Sequence, residues 1–229
     1  MNVAIVVAAG RGTRMGGKEP KQFRPLAGLP VIVHTLKHFE DAATIGEVVV
    51  VVTAEARAEF LELAGKHALR KVGRVVAGGD TRIESVWRGL QTVRSATARV
   101  VAVHDGVRPF VTSEEIDSCV RAAEEHKAAI LVAPAVDTIK EITDDKSVSR
   151  TISRERVRHA LTPQCFHYDL LRRAYEKAIS EKTDATDDSS LVERLGVRVY
   201  TIDGDARRNI KITSPEDWAL AEILIKNSE

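Results

Sequence analysis

The chain alternates between short apolar runs and longer segments whose apolar positions recur at helical spacing. The runs predict strands at 2–8, 47–53, 73–77, 99–104, 128–133 and 198–202. Between them, the helical spacing predicts helices such as 31–41, 54–68 and 81–93. This alternation is typical of an α/β fold with a mostly parallel sheet, and strands rich in Val, Ile and Ala indicate helices on both faces. We predict a single domain over residues 1–229.

Two helix starts carry explicit capping residues. Thr112 is followed three residues later by Glu115, which predicts a capping box before a helix over 116–126. Ser214, Pro215 and Asp217 in turn predict the start of the last helix.

Residues 136–154 break the β-α pattern. Apolar and polar positions alternate loosely there around the turn-like Asp144-Asp145-Lys146, which predicts a β-hairpin. An isolated hairpin is marginally stable in water, so this one should pack against something. A partner subunit and the hairpin's own domain are equally acceptable from the sequence alone.

Composition excludes several classes of protein. The 34 Lys and Arg residues nearly balance the 33 Asp and Glu residues, for a net charge of +1, which argues against a sequence-nonspecific nucleic-acid binder. No apolar stretch approaches the roughly 20 residues that span a bilayer, so we expect a cytoplasmic protein with no membrane partner. The two cysteines, Cys119 and Cys165, match no metal-site spacing and receive no role.

The loop after the first strand has the composition of a triphosphate cradle. Gly10 and Gly12 allow backbone N–H groups to approach an anion closely, and Arg14 and Lys21 add two cations. No Gly-Lys-Ser/Thr follows, which excludes a Walker A loop, and the dinucleotide-binding fingerprint is broken after Gly12.

Two further segments end predicted strands. Asp105, at the carboxyl end of an apolar strand, is suited to hold Mg²⁺ at nucleotide phosphates, and Arg108 to grip a second phosphate. Gly79 allows close contact with a base or ribose, while Asp80 and Ser85 offer hydrogen-bonding groups. A plain strand-to-helix turn capped by Asp80 explains that second segment equally well.

Lysine and arginine also occur at notable positions in the second half of the chain. Lys211 is predicted to lie on an apolar strand, where its ammonium group would have to face a ligand or a carboxylate. Arg154 and Arg156 lie at the foot of the predicted hairpin, and we interpret Arg156 as solvated surface.

Together the motifs closely resemble the IspD family, the 2-C-methyl-D-erythritol 4-phosphate cytidylyltransferases. The resemblance runs in order along essentially the whole chain and rests on Ala8-Ala9-Gly10-x-Gly12-x-Arg14-Met15, Pro20-Lys21-Gln22, Gly78-Gly79-Asp80, His104-Asp105-x-x-Arg108-Pro109, His159-Ala160-Leu161-Thr162-Pro163-Gln164, Thr186-Asp187-Asp188 and Asn209-Ile210-Lys211.

The resemblance implies a Rossmann-like nucleotidyltransferase fold and a homodimer joined through a protruding β-arm, residues 136–154. It implies transfer of a cytidylyl group from CTP to 2-C-methyl-D-erythritol 4-phosphate, with Mg²⁺ and release of pyrophosphate. Arg14 and Lys21 would stabilise charge on the α-phosphate, and Arg154 of the partner's arm, with Lys211, would position the substrate phosphate. The implied CTP-binding set is Ala8, Ala9, Gly10, Gly12, Gly79, Asp80, Ser85 and Gly106. The implied substrate-binding set is Asp105, Arg108, Thr162 and Thr186, with Asp105 also near the metal.

One difference from the family motifs lies in the site, because Gly106-Val107 stands where the family usually has Ala-Ala.

Three other functions remain as alternatives. A cytidylyltransferase acting on ribitol 5-phosphate would share fold, nucleotide and arm, although His159-Ala160-Leu161 looks more like the methylerythritol enzyme. A noncatalytic nucleotide-binding module would keep the fold without needing every cation, and a dinucleotide-dependent oxidoreductase is disfavoured by the broken fingerprint.

Overall fold

A computed structural model describes residues 1–10 and 20–227 of the chain. Its strands are β1 (Asn2–Val7), β2 (Pro25–Leu26), β3 (Leu29–Pro30), β4 (Ile45–Val52), β5 (Val72–Ala77), β6 (Val100–Asp105), β7 (Ala128–Pro134), β8 (Ile139–Ile142), β9 (Val148–Ile152), β10 (Arg158–His167) and β11 (Tyr200–Asp203). Its α-helices are α1 (Val31–Asp41), α2 (Arg57–Lys66), α3 (Arg82–Thr92), α4 (Ser113–His126), α5 (Tyr168–Ser180), α6 (Asp188–Glu193) and α7 (Pro215–Lys226).

Within these described ranges, seven strands form one sheet in the order β11-β7-β10-β6-β1-β4-β5. The β1, β4, β5 and β6 strands pair in parallel, as do β7 and β11, which confirms the predicted mostly parallel sheet. Within this seven-stranded sheet, as the described residues form it, only β10 runs antiparallel to its neighbours, β6 and β7. The sequence pattern did not predict β10, because its buried half carries Thr162, Pro163 and Gln164 instead of a run of apolar residues.

Helices cover both faces of the sheet, which explains the nearly unbroken apolar strands. On one face α1, α2 and α4 bury Phe39, Phe60 and Ile116 against the sheet. On the other face α3, α5 and α6 bury residues such as Leu90 and Tyr175. Alternate residues of each central strand therefore enter one core or the other, and the sheet is held rigidly between them.

The predicted helix ends are borne out with small shifts. Helix α1 has the predicted bounds, and capping boxes start both α4 at Thr112 and α7 at Ser214. The α2 helix begins three residues later than predicted, at Arg57, because residues 54–56 form a turn. None of the helices in the described part of the chain is long and apolar enough to cross a membrane.

The predicted hairpin is present as β8 and β9, which pair antiparallel with each other. Its side chains are largely exposed: Ile142 and Val148 have 64% and 60% of their surface accessible to solvent. At its foot, Arg154 begins a 3₁₀ turn and donates a hydrogen bond from Nη1 to the carbonyl of Val136 at 3.1 Å. The arm therefore does not bury these apolar side chains against its own domain.

The prediction that Lys211 lies on a strand is wrong. Residues 210–213 have no regular secondary structure, although the Ile212 N–H donates to the Val107 carbonyl at 2.9 Å. The apolar character of this segment has another cause, since Ile212 packs in a small third core with Leu26 and Val31.

Candidate functional site

A cavity of about 270 Å³ opens where β1, β5 and β6 end at the carboxyl edge of the sheet. Ligands of open α/β sheets bind at this edge, because the loops that leave parallel strands converge there. The described lining is Val7, Ala8, Ala9, Gly10, Lys21, Gln22, Gly79, Asp80, Thr81, Arg82, Ser85, Asp105, Val107, Lys211 and Thr213. The structure thus brings together most of the residues predicted to bind CTP with two of the predicted catalytic cations.

The end of β1 is held in place by a buried side chain. Gln22, which is 1% exposed, donates from Nε2 to the carbonyl of Ala8 at 2.7 Å and to that of Gly10 at 3.2 Å. Because Lys21 is the neighbouring residue, the same contact fixes the backbone from which Lys21 enters the cavity. Gln22 lies in the Pro20-Lys21-Gln22 motif but was not among the predicted site residues.

The turn between β5 and α3 needs glycine for a packing reason. A Cβ atom at Gly78 would lie 2.8 Å from the Ser85 hydroxyl, closer than real Cβ contacts allow. Ser85 is 3% exposed, and its hydroxyl accepts a hydrogen bond from the Gly79 N–H at 3.1 Å. Ser85 thereby fixes the Gly79 backbone at the cavity wall, while the exposed Asp80 lies at its rim.

Asp105 is the centre of the site's charges. Lys211 Nζ lies 2.9 Å from its Oδ2, Arg108 Nε lies 3.3 Å from the same oxygen, and Arg82 Nε lies 3.4 Å from Oδ1. Burial by itself raises the pKa of the carboxyl, but Arg82, Lys211 and Arg108 together outweigh it and hold that pKa well below its usual range. The group is therefore an anion that organises three cations at the edge of β6.

A second cavity of about 250 Å³ adjoins the first and shares Arg82, Asp105 and Lys211 with it. Its remaining lining is Arg108, Ala160, Leu161, Thr162, Gln164, Thr186 and Asp187. The structure therefore gathers all four predicted substrate-binding residues, Asp105, Arg108, Thr162 and Thr186, around one space. Thr186 is exposed, whereas Thr162 is buried.

A buried network orients the residues of this second cavity. Arg108 donates from Nη1 to the backbone carbonyl of Asn209 at 2.6 Å, and Asn209 donates from Nδ2 to the carbonyl of Thr162 at 2.7 Å. The Thr162 hydroxyl contacts Nδ1 of His104 at 2.9 Å. His104 itself is fully buried, and burial lowers its pKa to about 3, so it is a neutral structural residue that does not reach the cavity.

Arg82, which was not among the predicted site residues, lines both cavities. Arg82 forms a two-bond fork with Asp188, with Nη1 to Oδ1 at 3.0 Å and Nη2 to Oδ2 at 2.7 Å. Burial disfavours its charge, but Asp188 first and Asp105 next more than compensate and raise its pKa further above the usual value. The fork joins residues 106 positions apart, so no local spacing could have revealed it.

Two of the predicted site residues line neither cavity, and two others fall outside the described residues. Gly106 lines neither cavity: its N–H donates to the Val7 carbonyl at 2.8 Å and its carbonyl accepts from the Thr35 hydroxyl at 3.1 Å. Arg154 lies at the foot of the arm and lines neither cavity of its own chain. Gly12 and Arg14 fall outside the described residues.

The described residues contain no group of three His, Cys, Asp or Glu side chains that could bind a metal ion by themselves. Asp105 is the most buried carboxylate of the cavity wall, and both of its oxygens already face cations. These residues fit a divalent cation only if phosphate oxygens of a ligand supply most of the coordination, which is the usual arrangement for Mg²⁺ at a nucleotide.

The chain is similar over its whole length to characterised families and structures. A family model described as IspD, 2-C-methyl-D-erythritol 4-phosphate cytidylyltransferase, matches residues 2–227. The enzyme of that name from Syntrophus aciditrophicus is 42% identical over 228 residues, covering 99% of this chain and 97% of that protein. Its counterpart from Pelotomaculum thermopropionicum is 43% identical over 97% of this chain and 93% of that protein.

Solved structures agree with the sequence comparison. The 4-diphosphocytidyl-2C-methyl-D-erythritol synthase of Anaerococcus prevotii superimposes with a TM-score of 0.87 at 31% identity, covering 98% of this chain and 95% of that one. The 2-C-methyl-D-erythritol 4-phosphate cytidylyltransferase of Thermus thermophilus gives a TM-score of 0.79 at 33% identity, covering 99% and 100% of the two chains.

Proposed function

Because the chain belongs to the IspD family of 2-C-methyl-D-erythritol 4-phosphate cytidylyltransferases, we propose that it transfers a cytidylyl group from CTP to 2-C-methyl-D-erythritol 4-phosphate. The products are 4-diphosphocytidyl-2-C-methyl-D-erythritol and pyrophosphate. One observation in the chain itself carries the proposal: two cavities meet at Asp105, Arg82 and Lys211. One cavity has the backbone turns of a nucleotide site, and the other has the cations and hydroxyls of a sugar-phosphate site.

The reaction sets a clear electrostatic problem. A phosphate monoester oxygen forms a bond to the α-phosphorus of CTP while the bond from that phosphorus to the α–β bridging oxygen breaks, and pyrophosphate leaves. Both reactants are anions, so the barrier is dominated by their repulsion and by charge that accumulates in the in-line transition state. Such a reaction needs cations and fixed orientation, and it needs no protein nucleophile.

Different residues of the two cavities would supply the cations and the orientation that the reaction needs. Lys21, whose backbone Gln22 anchors, faces the nucleotide cavity and stabilises charge that develops on the α-phosphate. Lys211 and Arg108 face the second cavity and hold the substrate phosphate, while Thr162 and Asp105 offer hydrogen-bond acceptors to its sugar hydroxyls. Arg14 is assigned the same task as Lys21 on the strength of the family motif alone.

Magnesium belongs to the proposal as an ion that arrives with the nucleotide. It would neutralise charge on the triphosphate, and Asp105 is the chain's contribution to holding it. Since Lys211, Arg108 and Arg82 already surround Asp105, the residues themselves are arranged to orient phosphate more than to coordinate a metal.

Assembly through the arm is also part of the proposal. Val136, Ile142 and Val148 are 77%, 64% and 60% exposed on an element that buries little within its own chain. A second copy of the chain would cover these side chains and receive Arg154 near its substrate cavity. The cytoplasmic location expected from the sequence stays a prediction.

Pyrophosphate release tests the activity directly. The purified protein is incubated with Mg²⁺, CTP and either 2-C-methyl-D-erythritol 4-phosphate or ribitol 5-phosphate, with UTP in place of CTP as the nucleotide control. We expect turnover with CTP and the methylerythritol substrate, and much slower turnover with the other combinations. Preference for ribitol 5-phosphate would assign the chain to the alternative reaction, and no release with either acceptor would contradict catalysis.

A further inference from the structure

Arg82 lines both cavities of the site. It is not one of the residues predicted from the family motifs. It occupies the first turn of α3, directly after the Gly79-Asp80 turn of the nucleotide cavity. Its guanidinium group reaches across to the start of α6, where the fork with Asp188 holds it. The remaining nitrogen, Nε, donates to Oδ1 of Asp105 at 3.4 Å.

The two oxygens of Asp105 therefore bind different cations. Oδ1 faces Arg82, whereas Oδ2 accepts Lys211 at 2.9 Å and Arg108 at 3.3 Å. We propose that Arg82, held by Asp188, is a positioning residue that fixes the orientation of the Asp105 carboxylate. That orientation in turn places Lys211 and Arg108 for the phosphate of the sugar substrate. The inference rests on the proposed cytidylyl transfer.

The charges near Arg82 indicate that its contribution is geometric. Asp188 has no exposed surface, and it receives both Nη atoms of Arg82 and the Tyr175 hydroxyl. The Arg82 charge is thus matched by a dedicated buried partner, and the pair adds almost no net charge to the cavities. A lysine at position 82 would keep the charge, but its single ammonium cannot replace a planar group that bonds two carboxylates at once.

Replacing the whole buried group separates positioning from folding. The triple variant Arg82→Met, Asp188→Leu and Tyr175→Phe removes the pair and its hydroxyl donor together, so no buried charge is left alone and stability should be largely kept. We expect the KM for the sugar phosphate to rise at least about tenfold, with kcat and the KM for CTP within about threefold. Arg82→Lys should raise the same KM by a smaller factor.

A distant ion pair provides the matched control. Arg74 and Glu47 pair at 2.6 Å between β5 and β4 and line neither cavity. The variant Arg74→Met with Glu47→Leu makes the same apolar replacement and should leave all three kinetic constants near those of the wild type. If it raises the KM for the sugar phosphate as much as the triple variant does, the effect is a general loss of stability and the proposal is wrong.

The remaining outcomes are also decisive. Wild-type turnover is measured first, and its absence contradicts the proposed function. With an active wild type, a triple variant that is folded by thermal melting but keeps the KM for the sugar phosphate within about twofold overturns only the positioning role. If the triple variant does not fold, Arg82→Lys decides by the same criterion, because it retains the buried charge.

Discussion

The cavity at the carboxyl edge of the sheet and the β8-β9 arm differ in how firmly each holds its charged side chains. Asp105, in the cavity wall, has partners on both of its oxygens, and those partners are themselves held by Asp188 and Asn209. Among the described residues, the Arg154 side chain at the foot of the arm forms one hydrogen bond, which it donates to the Val136 carbonyl. The described residues of the cavity wall therefore hold one another in place, whereas the apolar side chains of the arm stay exposed to solvent in the single chain.

The largest effect should come from the cavity. Lys21→Ala should lower kcat at least about a hundredfold with little change in folding, because the role proposed for its ammonium is to stabilise charge that develops on the α-phosphate. Single-turnover kinetics with CTP and the sugar phosphate measure it. Lys66→Ala, an exposed lysine on α2, is the control. Single-turnover rates close to the wild type would remove Lys21 from the transition state.

Mixing two inactive variants connects the cavity with the arm. Arg154→Ala and Lys21→Ala chains should each be inactive, but in the proposed dimer a mixed pair would contain one site with an intact Lys21 and an intact Arg154 from different chains. Under random exchange about half the dimers are mixed, so about a quarter of all sites regain the wild-type composition. Activity should recover to roughly that fraction of the wild-type value.

The control for this mixture is each variant incubated alone, and native mass spectrometry reports the exchange of subunits. Exchange without recovery of activity would mean that Arg154 serves its own chain or no site at all. The arm would then be a structural extension, and the contrast with the cavity would lose its functional meaning.

A smaller effect is expected when the arm alone is altered. Ile142→Asp combined with Val148→Asp places charges on the exposed apolar side chains, which face each other across the hairpin. The dissociation constant of the proposed dimer should rise at least about tenfold in sedimentation velocity, while CTP binding changes by less than about twofold. Leu61→Asp, at a 54% exposed position on α2, should leave the dimer intact. Equal dimerisation of both variants would place the interface elsewhere.

The smallest expected effect is on the pH dependence of stability. The pKa of Asp105 is lowered in the folded protein, so its contribution is fully present above the unfolded value of about 3.9 and is lost as pH falls through the folded value. Thermal melts of the wild type and Asp105→Asn should therefore differ most near neutral pH and begin to converge below about pH 4. A constant difference down to about pH 2 would contradict the ion-pair assignment.

The sequence predicts elements that depend on local patterns, and it does not predict those that depend on contacts between residues far apart in the chain. Strands β1, β4, β6 and β7 were predictable because burial on both faces demands continuous apolar residues, and α1 because one face packs on the sheet. Strand β10 was not, since its buried polar groups are satisfied by partners far away in the chain: Gln164 accepts the N–H groups of Asp188 and Ser189 at 3.0 and 2.9 Å.

The candidate site shows the same division. Glycine turns and strand-end carboxylates have local signatures, so Gly79 and Asp105 could be predicted from their neighbours in sequence. Arg82 acts through a partner 106 positions away, and no local pattern marks it. Asn209 belongs to the Asn209-Ile210-Lys211 motif, but its bond to the Thr162 carbonyl, 47 positions away, has no local signature. For Lys211 the local pattern misled, because the neighbouring isoleucines serve a small side core and not a strand.

The antiparallel pairing of β10 with β7 also determines which segment of the chain can be replaced without disturbing the sheet. Pro134 at the end of β7 pairs with Arg158 at the start of β10, so the chain leaves and re-enters the sheet at one place. Everything from 135 to 157 is thus an insertion between two adjacent paired strands, and the entropy of closing such a loop changes only slowly with its length. Grafting a shorter connection, or a different hairpin, onto these two strands should leave the sheet unaltered and make this segment an exchangeable module.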